Sequence, residues 1–327
     1  MNASEADKAW LRRITNTPQK AEYKADKHND AGQEHAAAAK KAAKGNGLRD
    51  VAGMAKLKEL VTEGFINVLN NGECAKAYGI KPPSMLLYGP AGCGKTFFAE
   101  KMAEEVGIHF MKIAPDDLAC TWVHGTQQKI GEVFKKAEKA APTLLFFDEF
   151  DAMVPKRSGT ESSQHYDSEV NEFLCMLSGA ADRGIYVLAA TNHPERIDRA
   201  VLRTGRIDEM IYVDMPDADA RKSLFDLALS RLPTDSDIDT SALASLTKGY
   251  NCSDICYITQ AAARKMFCKS ISADDGQLAR ITQNLLEEII SSKVPSVSSK
   301  DLREYERVRQ EFSPDGEGRK HATIGFK

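Results

Sequence analysis

Five short apolar runs, each bounded by glycine, proline or charge, mark the first two thirds of the chain, at residues 84–88, 109–114, 143–147, 185–190 and 210–213. They are continuous rather than alternating, as expected of strands buried on both faces of a parallel sheet. Between them apolar residues recur at helical spacing: Leu57, Leu60, Val61, Phe65 and Val68 before the first run, Phe97, Phe98, Met102 and Val106 after it, where Gly107 stops the pattern. Strands alternating with helices predict a doubly wound α/β fold, a parallel five-stranded sheet with ligand at the C-terminal strand ends. From Pro216 onward the runs cease. Helical patterns at 221–231, through Leu243 and Leu246, through Ile255, Ile258 and Ala262, and at 278–290 predict a small all-helical domain ending near Phe312.

The ends of the chain have another texture. Trp10, Leu11 and Ile14 form a small apolar cluster, but residues 19–44 hold no Leu, Ile, Val, Phe or Met, and residues 313–327 are polar. Such segments cannot build a core. The expected division is an N-terminal arm at 1–47, an α/β domain at 48–215, a helical domain at 216–312 and a tail at 313–327. The arm reads as a tether, or as an apolar hook that docks an adaptor.

Composition narrows the function classes. The 327 residues are 42% hydrophobic and 28% charged with a net charge of −3, which gives no electrostatic case for nucleic acid. No run is long enough to span a membrane, and the polar N-terminus lacks a secretory pattern, so a cytoplasmic protein is expected. The seven cysteines form no C-x-x-C pair, which suggests neither a disulfide framework nor a zinc site.

The chemistry starts where the first run ends. Gly89, Pro90, Ala91, Gly92, Cys93, Gly94, Lys95 and Thr96 fit G-x-x-x-x-G-K-[ST], a loop whose backbone amides cradle phosphates at a helix N-terminus. Lys95 is placed to reach the β- and γ-phosphates of a nucleoside triphosphate, and the Thr96 hydroxyl to ligate Mg²⁺. The third run ends in Asp148 and Glu149. Strand alternation sends adjacent side chains to opposite faces, so Asp148 is assigned to the Mg²⁺ shell and Glu149 to activating the attacking water. Asn192, after the fourth run, is expected between the phosphate loop and these carboxylates. Arg203 and Arg206 flank a glycine turn and offer the positive charge a γ-phosphate transition state needs, with no other source evident.

Assembled, these residues resemble the AAA+ ATPases, with greatest likeness to the meiotic-type branch of katanin, spastin and the ESCRT-disassembling ATPases, and nearly as much to the proteasomal and cell-division-cycle ATPases. Asp50, Val51, Ala52 and Gly53 resemble the adenine-side segment, Gly89 to Thr96 the Walker A motif, and Leu144 to Glu149 Walker B. Asn192 resembles sensor 1, Arg203 and Arg206 fall in the arginine-finger segment, and Gly249 to Ile255 resemble the small-domain signature GYSGSDI.

The resemblance implies an ATP- and Mg²⁺-dependent ATPase whose nucleotide contacts are Asp50, Val51, Gly53, the loop from Gly89 to Thr96, Phe97 and Ser253. It further implies a homo-oligomeric ring, usually a hexamer, in which Arg203 and Arg206 act on a neighbour's nucleotide. Trp122 and Val123 stand at the pore-loop position, implying that a protein client is gripped and threaded. The alternative is a nucleotide-dependent assembly scaffold without threading. The chain departs from the pattern at His124, at Ala91, at Cys93 and in having no Lys or Arg between Arg157 and Arg183. A thiol at position 93 is either an inert replacement for threonine or a point of oxidation sensitivity.

Overall fold

The computed structural model describes residues 45–118, 125–156, 164–203, 205–273 and 277–312. A 3₁₀ turn, Gly47–Asp50, leads into α1 (Ala55–Val61), a π-helical turn (Thr62–Ile66), α2 (Asn67–Asn70) and α3 (Gly72–Ala77). Then come β1 (Met85–Tyr88), α4 (Lys95–Val106), β2 (His109–Ile113), α5 (Pro115–Leu118), α6 (Gly125–Lys139), β3 (Thr143–Phe147), α7 (Phe150–Met153) and α8 (Gln164–Leu177). β4 (Ile185–Thr191) and β5 (Glu209–Tyr212) complete the strands, and α9 (Ala218–Leu229), α10 (Thr240–Leu246), α11 (Cys252–Ala273), α12 (Gln283–Ser292) and α13 (Ser299–Phe312) follow.

The strands form one parallel sheet in the order β2-β3-β4-β1-β5. Period-two alternation divides their side chains between two cores. Leu86, Leu145, Phe147, Val187 and Ala189 face one side, where they pack with Phe134, Phe150 and Phe173. Met85, Leu87, Leu144, Phe146, Leu188 and Ala190 face the other, against Phe98 and Met102 of α4 and Leu57, Val61 and Phe65. Both faces are dry, which is why the strands read as unbroken apolar runs.

The helices from α9 to α12 enclose a third core around Phe225, Leu243, Ile255, Ile258 and Leu286. Asp217, Asp239 and Thr282 cap their helices by accepting backbone amide hydrogen bonds. The pattern expected to be helical from 278 is not helical at its start. Ile281 pairs with Thr234 in a parallel bridge, donating to Pro233 O and accepting from Asp235 N, and the helix begins only after Thr282. A local extended ladder and a threonine cap outcompete the helical spacing there.

α13 leaves this helical core. Its Phe312 ring packs edge-on against Tyr88 at 6.1 Å, Arg309 lies 5.0 Å over the Tyr212 ring, and Glu311 pairs with Arg199 at 3.0 Å. The helix therefore ends on the sheet, beside the strand from which the phosphate loop departs. Among the described residues no helix is long and apolar enough to cross a membrane.

Candidate functional site

β1 hands the chain to a loop that only glycine can shape. Gly89 has φ 144°, and a Cβ there would stand 2.3 Å from Val213 O; Gly92 and Gly94 are left-handed, with φ 73° and 87°. α4 begins at Lys95, and no side chain caps it. Its first amides are thus free of side-chain acceptors and face the loop, the arrangement that binds anions.

Lys95 is buried, and its Nζ donates to Gly89 O and Pro90 O at 2.8 Å each and to Asn192 Oδ1 at 2.7 Å. These acceptors are neutral. Burial pushes the ammonium down to about 8, partly opposed by the Cys93 thiol and the Asp148 carboxylate. A buried cation among neutral oxygens, beneath a glycine cradle, fits a polyphosphate. Thr96 Oγ1 donates to Asp148 Oδ2 at 3.0 Å, so a hydroxyl and a carboxylate oxygen, both hard donors suited to Mg²⁺, share one spot.

The strand alternation used to assign the two carboxylates does not extend to Glu149. β3 ends at Phe147, and Glu149 is a non-glycine residue in the left-handed region, φ 50°, immediately before α7. Glu149 thus stands in a turn just beyond the strand, at a backbone cost of about 1–2 kcal/mol. Asp148 Oδ1 accepts the Glu149 amide at 3.2 Å.

Because β4 lies between β3 and β1, Asn192 leaves the sheet between the carboxylates and the phosphate loop. Thr191 anchors that end: its hydroxyl donates to Asp151 of α7 and accepts from His193 N at 2.8 Å. The sequence reading named Thr191 with Asn192 but not this buttress, since it joins residues forty apart.

Lys112 adds a cation that the sequence reading did not name. This residue of the edge strand β2 places Nζ 2.9 Å from Asp148 Oδ2. Its one sequence signal was a lysine near the C-terminal end of an otherwise apolar strand.

The structure does not bring Arg203 and Arg206 to this cluster. They precede β5, in a turn tied to the start of β1: Asp208 accepts from Gly205 N at 2.8 Å and from Ser84 N at 3.0 Å. The phosphate loop leaves the opposite end of β1, about 15 Å away along the strand. Arg206 Nη1 is held by Ala200 O at 2.8 Å, while Arg203 is exposed. Trp122 and Val123 lie outside the described residues.

A cavity of about 620 Å³ opens between the sheet and the helical core, and Asp50, Val51, Gly92, Gly94, Phe97 and Ser253 all line it. Gly53 stands just outside, where a Cβ would meet Ala220 at 2.5 Å. The Asp50 carboxylate is already committed to Lys101 at 2.8 Å and to Asn46, which hold it below its usual range. What Asp50 offers the cavity is its backbone.

The helical core grips the phosphate loop directly. Asn251 Nδ2 donates to Ala91 O at 3.0 Å and Ser253 N to Gly92 O at 3.1 Å. Asn251 lies in the 249–255 signature segment but was not named as a site residue, because that resemblance does not itself show a contact across 160 residues. Behind it Asp254, 1% exposed, pairs with Lys293 at 2.7 Å and accepts from Ser296 N at 3.1 Å. Burial opposes its charge, but the Lys293, Ser296 and Asn251 hydrogen bonds prevail and lower its pKa.

Comparison with known proteins agrees with this geometry. Residues 85–215 match the family described as "ATPase family associated with various cellular activities (AAA)". The "Cell division cycle protein 48 homolog" of Archaeoglobus fulgidus is 32% identical over 273 residues, which cover 80% of this chain and 37% of that protein. The chain thus spans little more than a third of that relative's length. With a matching family model over residues 85–215, a five-stranded parallel sheet and a helical region folded over its phosphate loop, the chain carries the nucleotide-binding module of the AAA ATPase family.

Proposed function

We propose that this chain works as a ring-forming protein remodeller, probing and threading a protein client while ATP is hydrolysed between its subunits. The observation that carries the reading is the division of the ATP chemistry between the two ends of β1. Lys95, Thr96, Asp148 and Asn192 gather at one end, and Arg203 and Arg206 stand at the other, beyond reach of their own phosphate loop. Two such chains, head to tail, complete one site. Residues 48–215 act as the nucleotide domain and 216–312 as its lid, with the arm at 1–47 reserved for an adaptor.

In this reading the loop amides and Lys95 hold the phosphates, and Thr96 and Asp148 would hold Mg²⁺, which would supply charge neutralisation at the phosphates. Asn192 orients the attacking water and Glu149 takes its proton. Arg203 and Arg206 of one subunit stabilise charge in the site of the next. Trp122 and Val123 grip the client.

Glu149→Gln tests the assignment. The variant should bind ATP, assemble, lose about 10²- to 10⁴-fold in turnover and retain a polypeptide client. Loss of turnover with no retained polypeptide would leave the ATPase intact as a reading and remove the threading.

A further inference from the structure

Lys112 ties a second cation to the carboxylate that serves the metal. Asp148 Oδ2 receives the Thr96 hydroxyl at 3.0 Å and the Lys112 ammonium at 2.9 Å, while Oδ1 takes the Glu149 amide at 3.2 Å. Both oxygens are therefore engaged by protein donors, and one of them carries a full positive charge. The Lys112 side chain is 43% exposed and that of Asp148 24%, so the pair is open to solvent.

We propose that Lys112 is a positioning residue that sets the Mg²⁺ requirement of this ATPase by competing with the metal for Asp148. The proposal rests on the reading of Asp148 as a Mg²⁺ residue. A divalent cation brought to the Thr96–Asp148 pair must share Oδ2 with an ammonium, or drive that ammonium aside. Like charges at such separations repel, and the ammonium already neutralises part of the charge that makes Asp148 attractive to a metal. Mg²⁺ holds its shell at fixed short distances and keeps its waters, so it tolerates a competing donor on the same oxygen poorly. β2 fixes where Lys112 starts. Its backbone is locked to β3 by the register Lys112↔Phe146, two residues before Asp148. The long side chain supplies only the reach.

The consequence is a site that binds its nucleotide readily but recruits Mg²⁺ less avidly than its oxygen donors alone would allow. Binding of a fluorescent ATP analogue to the full chain, titrated with MgCl₂, reads this without turnover. Lys112→Met should lower the Mg²⁺ concentration giving half of the metal-dependent gain in affinity by about two- to fivefold, the range expected for one partly exposed ion pair. Affinity in EDTA should stay unchanged. Lys112→Arg, which keeps the charge, should retain the wild-type midpoint. An unshifted midpoint in Lys112→Met, or a shift of equal size in Lys112→Arg, would overturn the competition. If Asp148→Asn leaves the Mg²⁺ dependence as in the wild type, the assignment of Asp148 falls, and the proposal with it.

Discussion

Lys95 Nζ and Asn192 Oδ1 stand 2.7 Å apart, joining the phosphate loop at the end of β1 to the residue that follows β4. The bond sets the amide beside the cation proposed to hold the phosphates, and keeps Lys95 facing into the loop. Asn192→Ala leaves Lys95 its two carbonyl acceptors, so ATP affinity should change by less than about tenfold. Hydrolysis should fall by about 10². Equilibrium binding and single-turnover rates on one preparation separate the two, and equal losses in both would remove Asn192 from the chemistry.

Arg203 is exposed at the far end of β1 from its own phosphates. Arg203→Ala should leave ATP binding by the isolated chain unaltered and lower turnover by about 10³. Mixing Arg203→Ala subunits with Glu149→Gln subunits should restore activity, because each supplies what the other's site lacks. No recovery on mixing would place the arginine's role within its own subunit.

Asp254 links the lid to pH. Its folded pKa is lowered, so the stability it contributes is present above the ordinary value of 3.8 and is lost as pH falls through the folded value. Asp254→Asn, which leaves Lys293 without its partner, should cost about 3 kcal/mol at neutral pH. The gap between wild-type and variant melting temperatures should hold at neutral pH, begin to narrow below about pH 5 and go on narrowing beneath 3.8. A gap independent of pH would assign the cost to packing.

Gly89 and Gly107 are both at positive φ, 144° and 72°, but a Cβ on the first meets Val213 O at 2.3 Å and on the second meets nothing within 4 Å. Gly89→Ala should cost more than about 2 kcal/mol and abolish ATP binding, and Gly107→Ala about 1 kcal/mol with binding preserved. Chemical denaturation of both variants checks the contrast.

Cys93 is buried to 1%, touches Met215 Sδ at 3.6 Å, and burial pushes its thiol up to about 12. Thiolate chemistry is suppressed there. On treatment with iodoacetamide, peptide mapping should find exposed Cys74, Cys175 and Cys268 alkylated well before Cys93. Early labelling of Cys93 would revive oxidation sensitivity at the phosphate loop.

The sheet was legible because burial on both faces writes itself as apolar runs, and the phosphate loop because φ values such as that of Gly89 admit no other residue. Less was legible where several weak forces compete. Ser299–Phe312 buries only Val308, so its charged surface gave no sign of the helix that carries Phe312 onto Tyr88. The turn after Asp148 depends on one left-handed residue, Glu149, that nothing in the local pattern announces. Asn251 and Lys112 act through contacts with distant residues, and their types alone are ordinary for exposed positions.

The shortness of β1 has a mechanical meaning. Four residues, hydrogen-bonded on both sides to β4 and β5, join Gly89 at one end to Ser84 at the other, and Ser84 is clasped by Asp208 of the arginine turn. Such a strut is too stiff to absorb displacement. A shift of the phosphate loop as its ligand changes would travel down it to the arginine turn, so that in the proposed ring each subunit's nucleotide state would be felt, undamped, at the surface it offers to the next.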